Sequence, residues 1–330
     1  MKKIISIALV LGAFLTGCQK TNTSDTAMPV TPTTPQITDR TCASSDILAA
    51  QLAADPQLKT RREAIEVYTR RVIAANAANK TIINITIPVV VNVVYNTPAE
   101  NISNEQIQSQ IDVLNEDFNR QNKDVTSVPS IYKRLIGDAG IHFVLSSIVR
   151  RQSNRKVWAP VDGMKKATEG GINATDPEHK LNIWSCNLGQ NLLGYASFPG
   201  TVPPSLDGAV ILYSAFGSRV KYPGGTYIAN YDLGRTATHE VGHWMNLFHI
   251  WGDDGGSCAG SDLVDDTPNQ AGANFRCPVF PTITCNNTGD MSMNYMDYTY
   301  DRCMYMFSQG QVARSVSVFA AGAPRAAFAQ

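Results

Sequence analysis

Neither sign of charge is in surplus: 28 basic residues face 28 acidic ones among 330, and only 17% of the chain is charged. A balanced chain has no basic field with which to gather a phosphate backbone, so nucleic-acid partners are not expected. Long apolar runs are missing too. The most apolar stretch, residues 4–15, falls well short of the roughly 20 residues a bilayer-spanning helix needs. No glycine loop has phosphate-binding spacing, and no Gly-x-Ser-x-Gly elbow is present. No two cysteines stand in CxxC spacing, which weighs against a structural zinc knuckle. No internal repeat is visible. With 43% hydrophobic residues, the chain can still bury one sizeable core.

Histidine is scarce as well, yet three of the five fall within residues 239–249, His-Glu-Val-Gly-His-Trp-Met-Asn-Leu-Phe-His. On a helix, residues four apart share a face, so His239 and His243 can present two imidazoles to one metal ion with Glu240 beside them. Six residues is roughly 600° of helical rotation, so His249 can join them only if the helix ends first. In the pattern HExxHxxGxxH a left-handed glycine makes that turn. Here Asn246 holds the position, and Asn is the residue after Gly that best tolerates the left-handed region. About 50 residues on, 294–298 read Asn-Tyr-Met-Asp-Tyr, matching the Met-turn that underlies such a zinc site.

Together with Trp251-Gly252-Asp253, Asp265-Asp266-Thr267-Pro268 and the Met296/Tyr298 pair, these motifs make the chain similar to the pappalysin family of metzincin zinc endopeptidases over residues 82–315. The resemblance implies an α+β zincin: an upper subdomain (81–249) of mixed twisted sheet, backing helix and zinc helix, and an irregular, disulfide-stapled lower subdomain (250–330). It implies zinc held by His239, His243 and His249, with Glu240 as general base for the attacking water. Tyr298 matches the tyrosine that stabilises the oxyanion, and Met296 is a structural floor and not a ligand. It further implies the pairings Cys258 with Cys285 and Cys277 with Cys303. Asp301, five residues beyond Met296, falls where metzincins build the pocket for the residue after the cut, and several pappalysins cut before Arg or Lys. Its other reading is a surface carboxylate beside Arg302. Protein and peptide substrates follow. The alternatives are a non-catalytic zinc-fold surface lipoprotein that acts in binding, and a zinc amidase or esterase.

At the N-terminus, Lys2 and Lys3 precede the apolar stretch and Leu15-Thr16-Gly17-Cys18, which is an export signal resembling a bacterial lipobox. Residues 1–18 are expected to be the signal, with Cys18 lipidated and the protein anchored at the outer membrane or released. Residues 19–40 are poor in large apolar side chains and read as a tether. Residues 41–80 read as a helical pro-segment, ahead of a catalytic domain spanning 81–330. Six cysteines remain in an oxidising setting, and six permit fifteen pairings. Cys42 follows Arg40 and has three readings: a thiol that caps the zinc of a zymogen, a disulfide with Cys186, or a free buried thiol.

Further along, 86–95 reads as a strand and 104–120 as an amphipathic helix opened by a Ser103/Gln106 capping box. Strands follow at 141–150, 180–187, 194–198 and 209–216, then the zinc helix at 233–246 and a last helix at 307–319. Elements of both kinds intermix without a βα period, as in an α+β domain. Residues 250–303 carry no period at all, and so long an irregular stretch needs staples. Disulfides would serve, and so would calcium. Asp253, Asp254, Asp262, Asp265, Asp266 and Asp290 offer hard oxygen ligands, and Asp262, Asp265 and Thr267 are the candidate calcium set. His142 and His179 lack ligand spacing and read as structural. The tail after Gly322 carries no functional signal.

Overall fold

The structure, a computed structural model, describes residues 37–79 and 84–329. The signal, Cys18, the tether up to residue 36 and the boundary near residue 80 lie outside the described residues.

β1 (Ile85–Tyr95) is almost wholly buried, as its run of valines requires of a strand covered on both faces. It pairs in parallel with β2 (Ile141–Gln152) on one side and β3 (Leu181–Cys186) on the other. β5 (Ala209–Leu212) continues the sheet in parallel, and β4 (Gly194–Ala196) closes it as an antiparallel edge. The sheet is thus mixed, in the order β2-β1-β3-β5-β4. The helix α3 (Asn104–Phe118) packs on β2 and against the zinc-motif helix α4 (Arg235–Trp244). Its buried face carries Ile107, Ile111, Leu114 and Phe118, so α3 and α4 share one apolar core with the sheet.

Three local expectations change. The capping box of α3 forms by half: Ser103 accepts from the Gln106 backbone N–H at 3.1 Å. The Gln106 side chain is buried and instead donates to the Phe216 and Thr226 carbonyls, at 2.8 and 3.0 Å. β5 correspondingly ends at Leu212 and passes into a 3₁₀ turn, Tyr213–Ala215. α4 is also shorter than its motif suggests, because Gly234 (φ 86°) and Asn246 (φ 73°) adopt left-handed backbone at its two ends.

Ahead of the sheet, α1 (Ser44–Ala54) and α2 (Pro56–Asn79) form a helical pair, joined where Asp55 accepts from the Gln57 N–H at 2.9 Å. α2 lies against α5 (Gln309–Ser317), which opens with a complete Ser308/Gln311 capping box. Between α4 and α5 the chain is irregular apart from the two-residue strands β6 (Phe275–Arg276) and β7 (Tyr298–Thr299) and a 3₁₀ turn, Asp301–Cys303. Disulfides Cys258–Cys285 and Cys277–Cys303 staple it, and a second small core gathers Trp251, Met291, Met293 and Met306 beneath.

The tail is not the inert appendage its composition suggests. Arg325 is 3% exposed and donates from Nε to the Trp244 carbonyl at the end of α4, 2.7 Å away. Its guanidinium lies 4.0 Å from the Trp244 ring centroid and pairs with Asp207, which also accepts from Trp244 Nε1 and Ser197 Oγ. A cation at the carbonyl end of a helix is favourable, and here it also neutralises a buried carboxylate. Arg325→Met should therefore destabilise the protein by about 3–5 kcal/mol, the cost of stranding a buried charge. A denaturation midpoint unchanged from the parent would remove the tail from the fold.

Candidate metal centre

The end of α4 sets the geometry of the site. The Leu247 N–H returns to the Gly242 carbonyl at 2.9 Å and the Asn246 N–H to that of His243 at 2.9 Å, a helix stop with Asn in the place usually held by glycine. The turn brings His249 back. His243 Nε2 then lies 3.1 Å from His239 Nε2 and 3.1 Å from His249 Nε2, with all three rings buried. His239 Nδ1 is 2.7 Å from the Tyr295 carbonyl, and His243 Nδ1 is 2.8 Å from that of Leu247. A carbonyl only accepts, so both Nδ1 atoms carry the proton and both Nε2 atoms present lone pairs. His249 Nδ1 faces the Asp253 carboxylate at 2.8 Å, which fixes the same tautomer. Burial, reinforced by neighbouring imidazoles, holds His239 well below the usual histidine range and His243 down to about 3. Lone pairs crowded so closely repel one another unless a cation lies among them. The residues present therefore fit a zinc ion.

The walls are equally constrained. A Cβ on Gly242 would fall 2.5 Å from Met296 Sδ, so the thioether can lie beneath the helix only because residue 242 has no side chain. A Cβ on Gly194, in edge strand β4, would fall 2.8 Å from Glu240 Cγ. Glu240 is fully buried beside the imidazoles, and burial raises its carboxyl to about 7 despite hydrogen bonds that oppose the shift. Trp251 stacks on His249 with centroids 4.4 Å apart. The Tyr298 ring stands edge-on to the His249 ring at 4.9 Å.

Residues 38–45 run through this cleft. Cys42 pairs in parallel with Gly194, and the Leu193 N–H donates to the Thr41 carbonyl at 3.1 Å. Cys42 Sγ lies with the three imidazole nitrogens in one cluster, all within 4.8 Å of one another. Cys42 and Ser44 both donate to Glu240 Oε2, at 3.3 and 3.0 Å, and the Tyr298 hydroxyl donates to the Cys42 carbonyl at 3.3 Å. Burial and the Glu240 charge push the Cys42 thiol well up, whereas a metal cation in contact with sulfur favours the thiolate. Cys42 and Cys186 are both free, so they form no disulfide.

Two residues before the cysteine, Arg40 is 1% exposed, and its Nη2 meets Asp301 Oδ1 at 2.6 Å. Asp301 is fully buried, not a surface carboxylate, and its other oxygen accepts the Leu233 and Arg235 N–H groups at 2.9 and 3.2 Å. Sequence reasoning passed over the partnership of Arg40 with Asp301 and the parts played by Ser44 and Ser45. Arg40 was legible as a complement to Asp301. Ser44 and Ser45 were not, because nothing in the chain pairs them with Glu240 or with Asp253, 2.7 Å from Ser45 Oγ.

Elsewhere the acidic loops behave differently from a bare cluster of charge. Asp254 accepts from Gly256, Ala259 and Gly260 N–H groups and the Ser257 hydroxyl, and Asp266 caps α5 through Ser308 Oγ and the Gly310 N–H. Asp290 takes Asn274, Thr284 and Asn287. Neutral N–H and O–H donors thus stabilise these carboxylates within the loops themselves. Asp262 is buried and accepts from Thr267 Oγ1 at 2.9 Å and the Val264 N–H at 3.1 Å, with Asp265 in the same loop. Burial raises its carboxyl to about 7. His142 is exposed and His179 faces Asp176 at 2.8 Å, both away from the centre.

The model of the peptidase M43 family, described as pregnancy-associated plasma protein-A, matches residues 213–320. An extracellular metalloprotease of Arthroderma benhamiae is 34% identical over 252 residues, covering 73% of this chain and 74% of its own. One of Pyricularia oryzae is 37% identical over 297 residues, 87% of each chain. Among solved structures, mature mirolysin of Tannerella forsythia in complex with a cleaved peptide is 48% identical with a TM-score of 0.71, covering 74% of this chain and 96% of its own. A mutant of promirolysin from the same organism is 44% identical with a TM-score of 0.78, covering 88% and 97%.

Proposed function

Since the chain belongs to the pappalysin family of metzincin proteases, and is thus an exported zinc metalloendopeptidase, we propose that it is made latent by its own residues 38–45 and that, once freed, it cuts proteins before Arg or Lys. The observation that carries this is one juxtaposition: a free thiol from ahead of the sheet joins the three imidazoles, while Arg40 enters the pocket of Asp301. The longer match, to promirolysin, supports latency. The binding-protein and amidase alternatives give way to the peptidase family.

His239, His243 and His249 would hold the zinc, which when bound supplies Lewis acidity to an attacking water and to the scissile carbonyl. Glu240, buried beside the imidazoles, is placed to accept the proton of that water as a carboxylate and to return it to the leaving amine. The Tyr298 hydroxyl, spent on the Cys42 carbonyl in the latent chain, turns to the substrate oxygen as negative charge develops there. Met296 and Gly242 keep the floor closed. In the latent chain Cys42 and Ser44 both bond to Glu240, and Cys42 lies among the three imidazoles, where its sulfur would fill the position a zinc-bound water needs.

Asp301 is anchored by two backbone N–H groups and left with one oxygen for a guanidinium, which Arg40 takes. A substrate Arg or Lys in its place makes the same charge-assisted bond. Calcium belongs to the proposal through Asp262, Asp265 and Thr267: Asp262 is a buried carboxylate with hydrogen bonds but, among the described residues, no cationic side chain bonded to it. The anchor belongs to it through the lipobox ending at Cys18, which would hold the enzyme at the outer membrane until release.

Glu240→Ala should retain one zinc per chain yet lose roughly 10²–10⁴-fold in kcat/KM on a peptide substrate, whereas His249→Ala should lose the metal. Undiminished proteolysis by the Glu240 variant would sink the assignment. Cleavage sites mapped on a peptide library should be enriched in Arg and Lys just after the cut, and Asp301→Asn, which keeps the shape and the backbone bonds, should flatten that profile. Cys42→Ala should shorten the lag before activity. Stripping calcium should lower the melting temperature, and a coincident melting curve would remove calcium from the account. Cys18→Ser should move the protein from the membrane fraction to the soluble one.

A further inference from the structure

The departure at Asn246 is not explained by zinc binding, since glycine adopts φ 73° at less cost than asparagine. Its side chain is spent on α2. Arg62 Nη2 donates to Asn246 Oδ1 at 2.6 Å, and Asn246 Nδ2 donates to Glu66 Oε1 at 3.1 Å. The amide thus bridges an i,i+4 ion pair of the helix, itself closed at 3.1 Å. Arg314 of α5 completes the seat, donating from Nη2 to Glu66 at 2.7 Å and from Nε to the Asn246 carbonyl at 2.8 Å. The Arg62 guanidinium lies over Phe198 and Phe248, 5.5 and 5.9 Å from their centroids, and Arg314 lies over Phe248 at 5.2 Å. Asn246, Arg314 and Arg62 are 0, 1 and 6% exposed, so these bonds are made out of water, where they are strong and their loss is costly.

We propose that Asn246, Phe248 and Arg314 form a docking surface for the Arg62–Glu66 face of α2, a second latch that holds the pro-segment independently of the metal. A glycine at 246 would offer neither an acceptor for Arg62 nor a donor for Glu66. The surface lies on the catalytic part, and its occupant is a helix of this same chain that places Arg and Glu one turn apart over two phenyl rings. None of its hydrogen bonds involves Cys42 or a zinc-binding imidazole. Loss of the thiol's hold on the metal therefore leaves α2 seated, and release requires that the ion pair be lost or the helix be cut. The inference rests on the latent-zymogen reading for its consequence, but not for its test.

The test uses the full chain carrying Glu240→Ala, so that it does not process itself. Trypsin cleavage at Lys59 and Arg70, both exposed on α2, is followed by fragment mass with and without a zinc chelator. The α2 helix of this chain should stay resistant after chelation. Adding Arg62→Met and Glu66→Gln, which keep length and shape but remove the charges, should speed cleavage at these two sites roughly tenfold or more, with zinc still bound. The unfolding midpoint of the remaining chain serves as the check that the variant is folded. Chelation that alone exposes α2 would overturn the proposal, and so would a double variant cut no faster than its parent. The same pair of substitutions in a chain with Glu240 intact separates this from the latency reading: a lag that shortens with Cys42→Ala alone, and not with Arg62→Met and Glu66→Gln, keeps the zymogen and removes the latch.

Discussion

Three imidazole nitrogens that aim their lone pairs at one point repel one another, and most of the structure around them holds them there regardless. Each Nδ1 is engaged from behind: by the Tyr295 carbonyl of the Met-turn, by the Leu247 carbonyl of the helix stop, and by Asp253 from the loop beyond. Those three come from segments on both sides of the helix stop, so the chain before and after it meets at the site. Tyr295 extends the chain of dependence, because its hydroxyl donates to the buried Asp117 on α3, which also accepts from Thr238 and Arg235 of α4. The backing helix, the zinc helix and the Met-turn share one carboxylate.

The same constraint explains why so short a segment fills the cleft. On the proposed reading, a site that accepts a water, a carbonyl and a basic side chain sets three imidazoles, a base and a carboxylate in a row. Residues 40–44 satisfy that row with Arg40 on Asp301, Cys42 among the imidazoles, and Ser44 with Cys42 on Glu240. Edge strand β4 provides the backbone track, since an unpaired strand edge accepts an extended segment without further design. Beyond the cleft, α2 adds a contact that involves no catalytic group, through Arg62, Glu66 and Asn246.

Much of this is legible in the sequence. Spacing of four and then six placed the three histidines on a helix and its sequel, the pattern of valines marked β1, and the resemblance supplied both disulfide pairings. Local patterns failed where a side chain answered to a distant partner. Gln106 forsakes the capping box for loop carbonyls more than a hundred residues away. The aspartates of the lower loops looked like uncompensated charge, yet most are satisfied by nearby N–H and O–H groups. Arg325, in a tail of unremarkable composition, neutralises Asp207.

The division has a physical cause. Metal chemistry demands particular atoms at a particular helical spacing, and that demand is written within eleven consecutive residues, with the Met-turn some 50 residues on; both motifs were therefore legible in the sequence alone. Who fills the cleft is a question of complementarity between segments some 200 to 260 positions apart, where Arg40 meets Asp301 and Cys42 meets Glu240. Neither member of such a pair carries a local mark of the other, because burial and charge compensation arise only when the chain has closed on itself. The tertiary structure alone decided that Cys42 is a free thiol at the metal centre, that Asp301 is buried, and that Asn246 holds a helix.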